Sequence, residues 1–252
     1  SINDLTNHRM LKNIFGIGLL EGFNKYVKAG LKAFISHENR HYEMPDTIGS
    51  LTTRSSWNEN DITIGGLLSK TQGRTLHFNA GVEAWVAGDN VGQLHLDFST
   101  DLNFALFGDT VRLAAKAYFH RLNPTFYQRK YHATNLWWEN NDLSKETRTR
   151  IEGIFSYEKT NTRIRVAIEE IQNYTYFGMS YDNTDNKRTN LTTGVFQESG
   201  NINVMMAQLH QNFRLGPLNW ENVITYQNSS NKEVLPLPTW NIFSNLYLKF
   251  KI

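Results

Sequence analysis

Apolar side chains recur at every second position over stretches of about ten residues through most of this sequence, the mark of strands with two chemically different faces. One face of a segment reads Leu94, Leu96, Phe98, Thr100, Leu102, Phe104, Leu106. The other reads His95, Asp97, Ser99, Asp101, Asn103, Ala105. Gly108-Asp109 makes a tight turn, after which Val111, Leu113, Ala115, Ala117 and Phe119 alternate with Arg112, Ala114, Lys116, Tyr118 and His120. Each strand is greasy on one side and wet on the other.

The same pattern predicts further hairpins. Ile62, Ile64, Gly66 and Leu68 lead into a turn at 71–74, and Leu76, Phe78, Ala80, Val82, Ala84 and Val86 return against His77, Asn79, Gly81, Glu83 and Trp85. Ile151, Gly153, Phe155 and Tyr157 oppose Arg148, Arg150 and Glu152, and after a turn at 159–162, Ile164, Val166 and Ile168 oppose Arg163, Arg165 and Glu169. Met205, Ala207, Leu209 and Phe213 precede a turn at Gly216-Pro217, and Leu218, Trp220, Asn222, Ile224 and Tyr226 follow it. Trp240, Ile242, Ser244, Leu246, Leu248 and Phe250 form a last apolar face. In the N-terminal part Val27, Ala29, Leu31, Ala33 and Ile35 alternate with Lys28, Lys32 and Ser36, behind a glycine-broken stretch. The expected count is about eleven strands in one β unit over residues 1–252, with no separate soluble domain.

Which solvent the greasy face meets is a separate question. No apolar run approaches the 18 or more residues of a spanning helix, and mean hydropathy is −0.49. A transmembrane barrel has the same average, because its strands are short and only alternate side chains face lipid. Soluble sandwiches, lipocalins and propellers use the same alternation. Two features favour the membrane. Short turns at 71–74, 108–109, 159–162 and 216–217 alternate with long polar, aromatic links at 41–56, 123–143, 172–190 and 228–237, as short periplasmic turns alternate with long external loops in outer-membrane barrels. The link near Gly88–Gly92 breaks that rule. Tyr157, Trp220, Tyr226, Trp240 and Phe250 fall near strand ends, where aromatic girdles meet the membrane interface. The fold expected is all-β, an antiparallel transmembrane β-barrel of outer-membrane type, with an odd strand count pointing to part of a larger barrel.

Several function classes drop out. The absence of cysteine removes thiolate metal sites and cysteine nucleophiles, and a net charge of +2 is too balanced for a duplex nucleic-acid binder. No cofactor motif is present. The chain opens on Ser-Ile-Asn-Asp without a charged-then-apolar leader, so any export signal is expected to have been removed already or to lie outside it. The wet faces carry Lys28, Lys32, Arg112, Lys116, Arg148, Arg150, Arg163 and Arg165 against Glu83, Asp97, Asp101, Glu152 and Glu169. In a barrel these line the pore and tune its ion selectivity; elsewhere they are a solvated face with cross-strand ion pairs. His77 and His95 fall on neighbouring strands, but no ligand spacing accompanies them, and no metal site is expected. Asp182, Asp185 and the run 183–190 lack the spacing of a calcium loop. Ser99 near His95 or His120 is the only trace of a hydrolase, and no nucleophile elbow occurs, so catalytic residues are expected to be absent.

The C-terminal hairpins add a resemblance. Arg214-Leu-Gly-Pro-Leu-Asn-Trp-Glu-Asn, Thr225-Tyr-Gln-Asn-Ser-Ser-Asn and Val234-Leu-Pro-Leu-Pro-Thr-Trp-Asn-Ile-Phe resemble the putative porin family of the Bacteroidetes outer membrane. Phe126-Tyr-Gln-Arg-Lys-Tyr, Trp137-Trp-Glu-Asn, Glu146-Thr-Arg and Gln172-Asn-Tyr-Thr-Tyr-Phe agree with it. The likeness covers roughly residues 60–252. It implies a large barrel in the outer membrane of a Gram-negative bacterium that passes small hydrophilic solutes or ions. The partners implied are outer-membrane lipid and lipopolysaccharide, the solutes and other outer-membrane subunits. Two other readings stay open: a non-conducting barrel serving as scaffold in a larger complex, and a barrel-embedded hydrolase.

Overall fold

The computed structural model describes residues 4–23, 28–48, 51–106, 108–184 and 187–250. The main sheet is an antiparallel meander of eleven strands. Its first part comprises β1 (Asn7–Leu19), β2 (Gly30–Ile48), β3 (Leu51–Lys70), β4 (Leu76–Gly88), β5 (Leu94–Leu106) and β6 (Asp109–Leu122). A linking segment with a one-turn helix α1 (Phe126–Arg129) and the small hairpin β7 (Lys130–His132) and β8 (Trp137–Glu139) leads to β9 (Glu146–Tyr157) and β10 (Thr162–Gln172). A second accessory hairpin, β11 (Thr175–Thr184) and β12 (Lys187–Gln197), precedes β13 (Ile202–Leu215), β14 (Leu218–Ser229) and β15 (Trp240–Leu248). Each main strand pairs with its neighbour in chain order, β6 passing directly to β9 and β10 to β13, and β1 and β15 form the two edges of an open sheet.

The burial pattern is inverted relative to a water-soluble protein. Among the described residues the buried set holds seven apolar side chains and eleven polar or charged ones, Glu38, Glu59, Asp61 and Glu152 among the latter. Meanwhile Leu31, Ile35, Ile64, Ile151, Val166, Ile168, Met205, Ile242 and Leu246 are exposed, all on the outward face. Water would not tolerate so broad an apolar surface; lipid requires it. No described helix is long and apolar enough to cross a membrane.

The two ends of the sheet differ. At one end the connections are the turns at 71–75 and 216–217, the single 3₁₀ turn Glu158–Thr160 and the break between Leu106 and Asp109. The turn residues do what these tight reversals need: Gly108 and Gly216 have φ of 77° and 57°, and Asn161 supplies the left-handed position after the 3₁₀ turn. Glu21, in the link after β1, accepts the backbone N–H groups of Thr71 and Gln72 and so ties that link to the next turn. Desolvation works to raise its pKa, but those N–H donors, the Thr71 hydroxyl and Lys70 hold it below the ordinary value.

The other end is built up, and here the structure corrects two expectations. The stretch 41–56 is no loop: β2 and β3 run on to Ile48 and Leu51, paired residue for residue. Its alternation is present but reversed. Below Asn39 the outward residues of β2 are apolar (Leu31, Ile35); above it the inward ones are, Tyr42 and Met44, and the outward neighbours are His41 and Glu43. A strand that leaves lipid for water swaps the greasy face, so a reading that follows one apolar face loses it there. The expected loop 172–190 is likewise mostly β11 and β12, joined through residues that lie outside the description. Asp185 falls there and the side chains of 181–190 are not described, so the calcium-loop reading of 183–190 lies outside what the structure describes.

The short β4–β5 link, the exception to the loop rule, is folded in as a rim. Asp61 of β3 is buried and accepts the Asn90 backbone and side-chain N–H groups, both at 2.7 Å. Asn90 Oδ1 in turn accepts from Gln93 and Asn123. Gly88 enters the turn at φ 109°, with Asn60 O only 1.9 Å from where a Cβ would sit. Only glycine fits that approach.

Candidate functional site

The inward face is defined by the segment between β6 and β9, which reaches back to β2 and β3. Arg129 meets Glu59 at 2.5 Å and Phe126 stacks on Tyr42 with ring centroids 3.7 Å apart. That reach requires the sheet to curl toward the side carrying Tyr42 and Glu59, and register then assigns every other strand. Lys32, Glu83, Asp97, Asp101, Arg112, Lys116, Arg148, Arg150, Glu152, Arg163, Arg165 and Glu169 all fall on this face. Lys28 does not belong to the wall: it precedes β2, exposed in the β1–β2 link, because the strand starts at Gly30.

The charges form ladders across the strands. On β9 and β10, Arg150 meets Glu152 at 2.9 Å and Glu169 at 3.2 Å, Arg165 meets Glu152 at 3.0 Å, and Arg148 meets Glu169 at 3.5 Å. Tyr118 of β6 donates its hydroxyl to Glu169 at 2.9 Å. On β4 to β6, Asp101 bridges His77 at 3.0 Å and Arg112 at 3.1 Å, and His120 meets Asp97 at 3.0 Å. On β1 to β3, Lys12 and Arg40 flank Glu38, and Arg40 also faces Glu59. Lys32, Lys116 and Arg163 stay exposed toward the interior. Partly solvated pairs of this kind contribute about 0–1 kcal/mol each, so their larger effect is on the field inside the curl.

Above this wall lies an aromatic cap that sequence periodicity did not reveal. Rings run from His8 to Tyr42 (4.5 Å), Tyr42 to Tyr127 (5.8 Å), Tyr127 to Tyr131 (6.3 Å), Tyr131 to Trp138 (5.1 Å) and Trp138 to Phe177 (6.0 Å). The row joins the β2–β3 extension to the β6–β9 segment and to the β11–β12 hairpin. Tyr42, Met44 and Phe126 form its buried centre, with Trp57, Tyr127 and Tyr131 packed around them. Backbone bonds fix the geometry: Trp138 Nε1 donates to Tyr127 O, and Gln197 Nε2 donates to Ser144 O. Glu139 joins Lys130 at 3.2 Å and His132 at 2.9 Å. Desolvation acts to raise the Glu139 pKa, but its contacts with Lys130 and His132 hold it below its ordinary 4.5. A cavity of about 330 Å³ remains beside the cap, lined by His120, Asn123, Gln128, Glu146, Arg148 and Tyr174.

Other sequence candidates are placed as follows. Tyr226 and Trp240 pair at the capped end with centroids 5.0 Å apart, while Tyr157, Trp220 and Phe250 lie toward the short-turn end, Trp220 against Phe213 at 5.5 Å. His77 and His95 sit on adjacent strands but at different levels, His77 opposite Asp101 and His95 opposite Glu83. Ser99 lies across from Asn79 and Lys116, and the nearby His120 is engaged by Asp97.

An open antiparallel meander with a lipid-compatible outside and a charged inside is the wall of an outer-membrane type β-barrel. The chain belongs to the family described as "Putative porin", whose match runs over residues 1–252. No curated protein matches it. Among solved structures it is similar to the siderophore receptor PirA from Acinetobacter baumannii, with TM-score 0.64 at 10% identity, over 98% of this chain and 40% of that one. At such identity the likeness is one of fold, and the chain spans 40% of that receptor's length.

Proposed function

We propose that the chain forms the wall of a porin-like channel in the outer membrane of a Gram-negative bacterium of the Bacteroidetes, passing small hydrophilic solutes or ions without catalysis. The observation that carries this reading is the continuous charged inward face against a continuous apolar outward one: a closed, dry core has no use for Lys32, Lys116 and Arg163 left exposed inside it. Two aromatic levels support the membrane placement. Trp240 and Phe250 are ten residues apart. That separation corresponds to about 33 Å along an extended chain, or about 25 Å across the membrane at a tilt of about 40°. Lipid and lipopolysaccharide are then the partners of the outward face. The test is planar-bilayer recording of the full-length protein, expected to give ohmic steps and a salt-gradient reversal potential that moves toward cation preference in a Lys116→Gln, Arg163→Gln variant.

One observation favours a second reading. The aromatic cap spans from β2–β3 to the β11–β12 hairpin over the inward face, as a cover would in a barrel that serves as scaffold to other outer-membrane subunits. Silent bilayers with an intact, heat-modifiable barrel, turned conductive by removal of residues 126–140, would favour the covered barrel over the open pore.

A further inference from the structure

We propose that His95, Asp97 and His120 form a binding site for an imidazole-preferring divalent transition ion of the zinc, copper or nickel class, on the inward wall just below the cap. Register builds it. His95 of β5 lies directly opposite His120 of β6, and Asp97 follows two residues later on the same face. The imidazole rings are 4.3 Å apart, His120 Nε2 is 3.0 Å from Asp97 Oδ1, and one ligand atom from each residue lies within 4.8 Å of the other two. Among the described residues this is the one group of three such ligands that converges. Ligand atoms around a tetrahedral ion at about 2.0–2.1 Å stand about 3.4 Å from one another, so in the proposed site the three side chains draw together on the ion.

The surroundings match a ligand set better than a chance ion pair. His95 Nε2 is buried with no hydrogen-bond partner, a cost that coordination through this nitrogen would remove. Trp85 meets the His95 ring edge-on at 5.2 Å and Tyr118 stacks on the His120 ring at 4.5 Å, which restricts both imidazoles. Glu83 stands opposite His95 on β4 and brings a second carboxylate to the same level. Arg148 stands opposite His120 on β9, but its charge is engaged by Glu146 and Glu169. Two imidazoles and one carboxylate select zinc, copper or nickel over calcium or magnesium, which take oxygen shells. Three protein ligands leave a coordination position open to the interior, so the site suits an ion that exchanges. The binding claim stands on these side chains alone, and only the site's position on a solute path rests on the channel reading.

The test is calorimetric titration of untagged full-length protein in detergent with zinc chloride, with copper(II) electron paramagnetic resonance counting the bound nitrogens. One site with two nitrogen donors is expected. Affinity should fall at least tenfold in His95→Asn and in His120→Ala, fall less in Asp97→Asn, and stay unchanged in His77→Ala, with heat-modifiable migration reporting the fold of each variant. A folded wild-type protein that takes up no zinc, or a His95→Asn, His120→Ala double variant that binds as well as wild type, would overturn the proposal. Zinc binding by a protein that is silent in bilayers would uphold the site and count against the channel.

Discussion

The two ends of the sheet follow different rules. At the short-turn end, reversals such as Gly108 and Gly216-Pro217 use a left-handed glycine, and among the described residues nothing lies within 4 Å of where a Cβ at either glycine would sit. At the other end β2 and β3 overshoot their neighbours, the β6–β9 segment folds across them, and Tyr42, Met44 and Phe126 make the small buried apolar cluster of that end. The lesson is where packing energy resides. A barrel wall between lipid and water needs little core, so side-chain packing collects in the cap, where both faces of β2 and β3 leave lipid.

That contrast can be broken by substitution. The largest effect is expected from Phe126→Ala, which removes the ring stacked on Tyr42 and should cost the cap about 3 kcal/mol. Hydrogen exchange should then rise across 123–145 while the turns at 71–75 and 216–217 keep their rates; uniform loss of protection would show that the ends are not independent. Next is Gly88→Ala, whose Cβ meets Asn60 O at a φ open to glycine, expected to cost about 2 kcal/mol and to loosen the Asp61–Asn90 rim. Gly216→Ala, at φ 57° with nothing near its Cβ, should cost about 1 kcal/mol, read by thermal migration shift. The smallest effect concerns acid. Because the folded pKa of Glu139 is depressed, its contribution is present above about 4.5 and is lost as pH falls through the folded value. For so exposed a group this is below about 1 kcal/mol, and tryptophan emission from Trp137 and Trp138 should show a low-pH step that Glu139→Gln abolishes.

Most of the wall was legible in the sequence, because lipid on one side and water on the other impose a period of two on strands such as β5, β6 and β10. The shared face of the charges is legible for the same reason: parity alone sets Arg150, Glu152, Arg165 and Glu169 on one side of the sheet. Partners across strands were not, since register depends on turn lengths and on the bulge near Ile62. His77 and His95 do fall on adjacent strands, but at different levels, and the residue directly opposite His95 on its other neighbour is His120. The cap escaped because its apolar residues, Tyr42 and Met44 on β2 and Phe126 on α1, sit among polar neighbours and follow no single period. Lys28 was misplaced by the few residues between the alternating pattern and the true start of β2.

Both ends serve one wall, and its two faces are best tested on β10. The chain has no cysteine, so single substitutions Arg163→Cys, Ile164→Cys, Arg165→Cys, Val166→Cys, Ile168→Cys and Glu169→Cys report cleanly on a water-soluble thiol reagent in proteoliposomes. Labelling with a period of two is expected, fast at 163, 165 and 169 and blocked at 164, 166 and 168 until detergent is added. Equal labelling of both sets in the bilayer would contradict a wall with water on one face and lipid on the other.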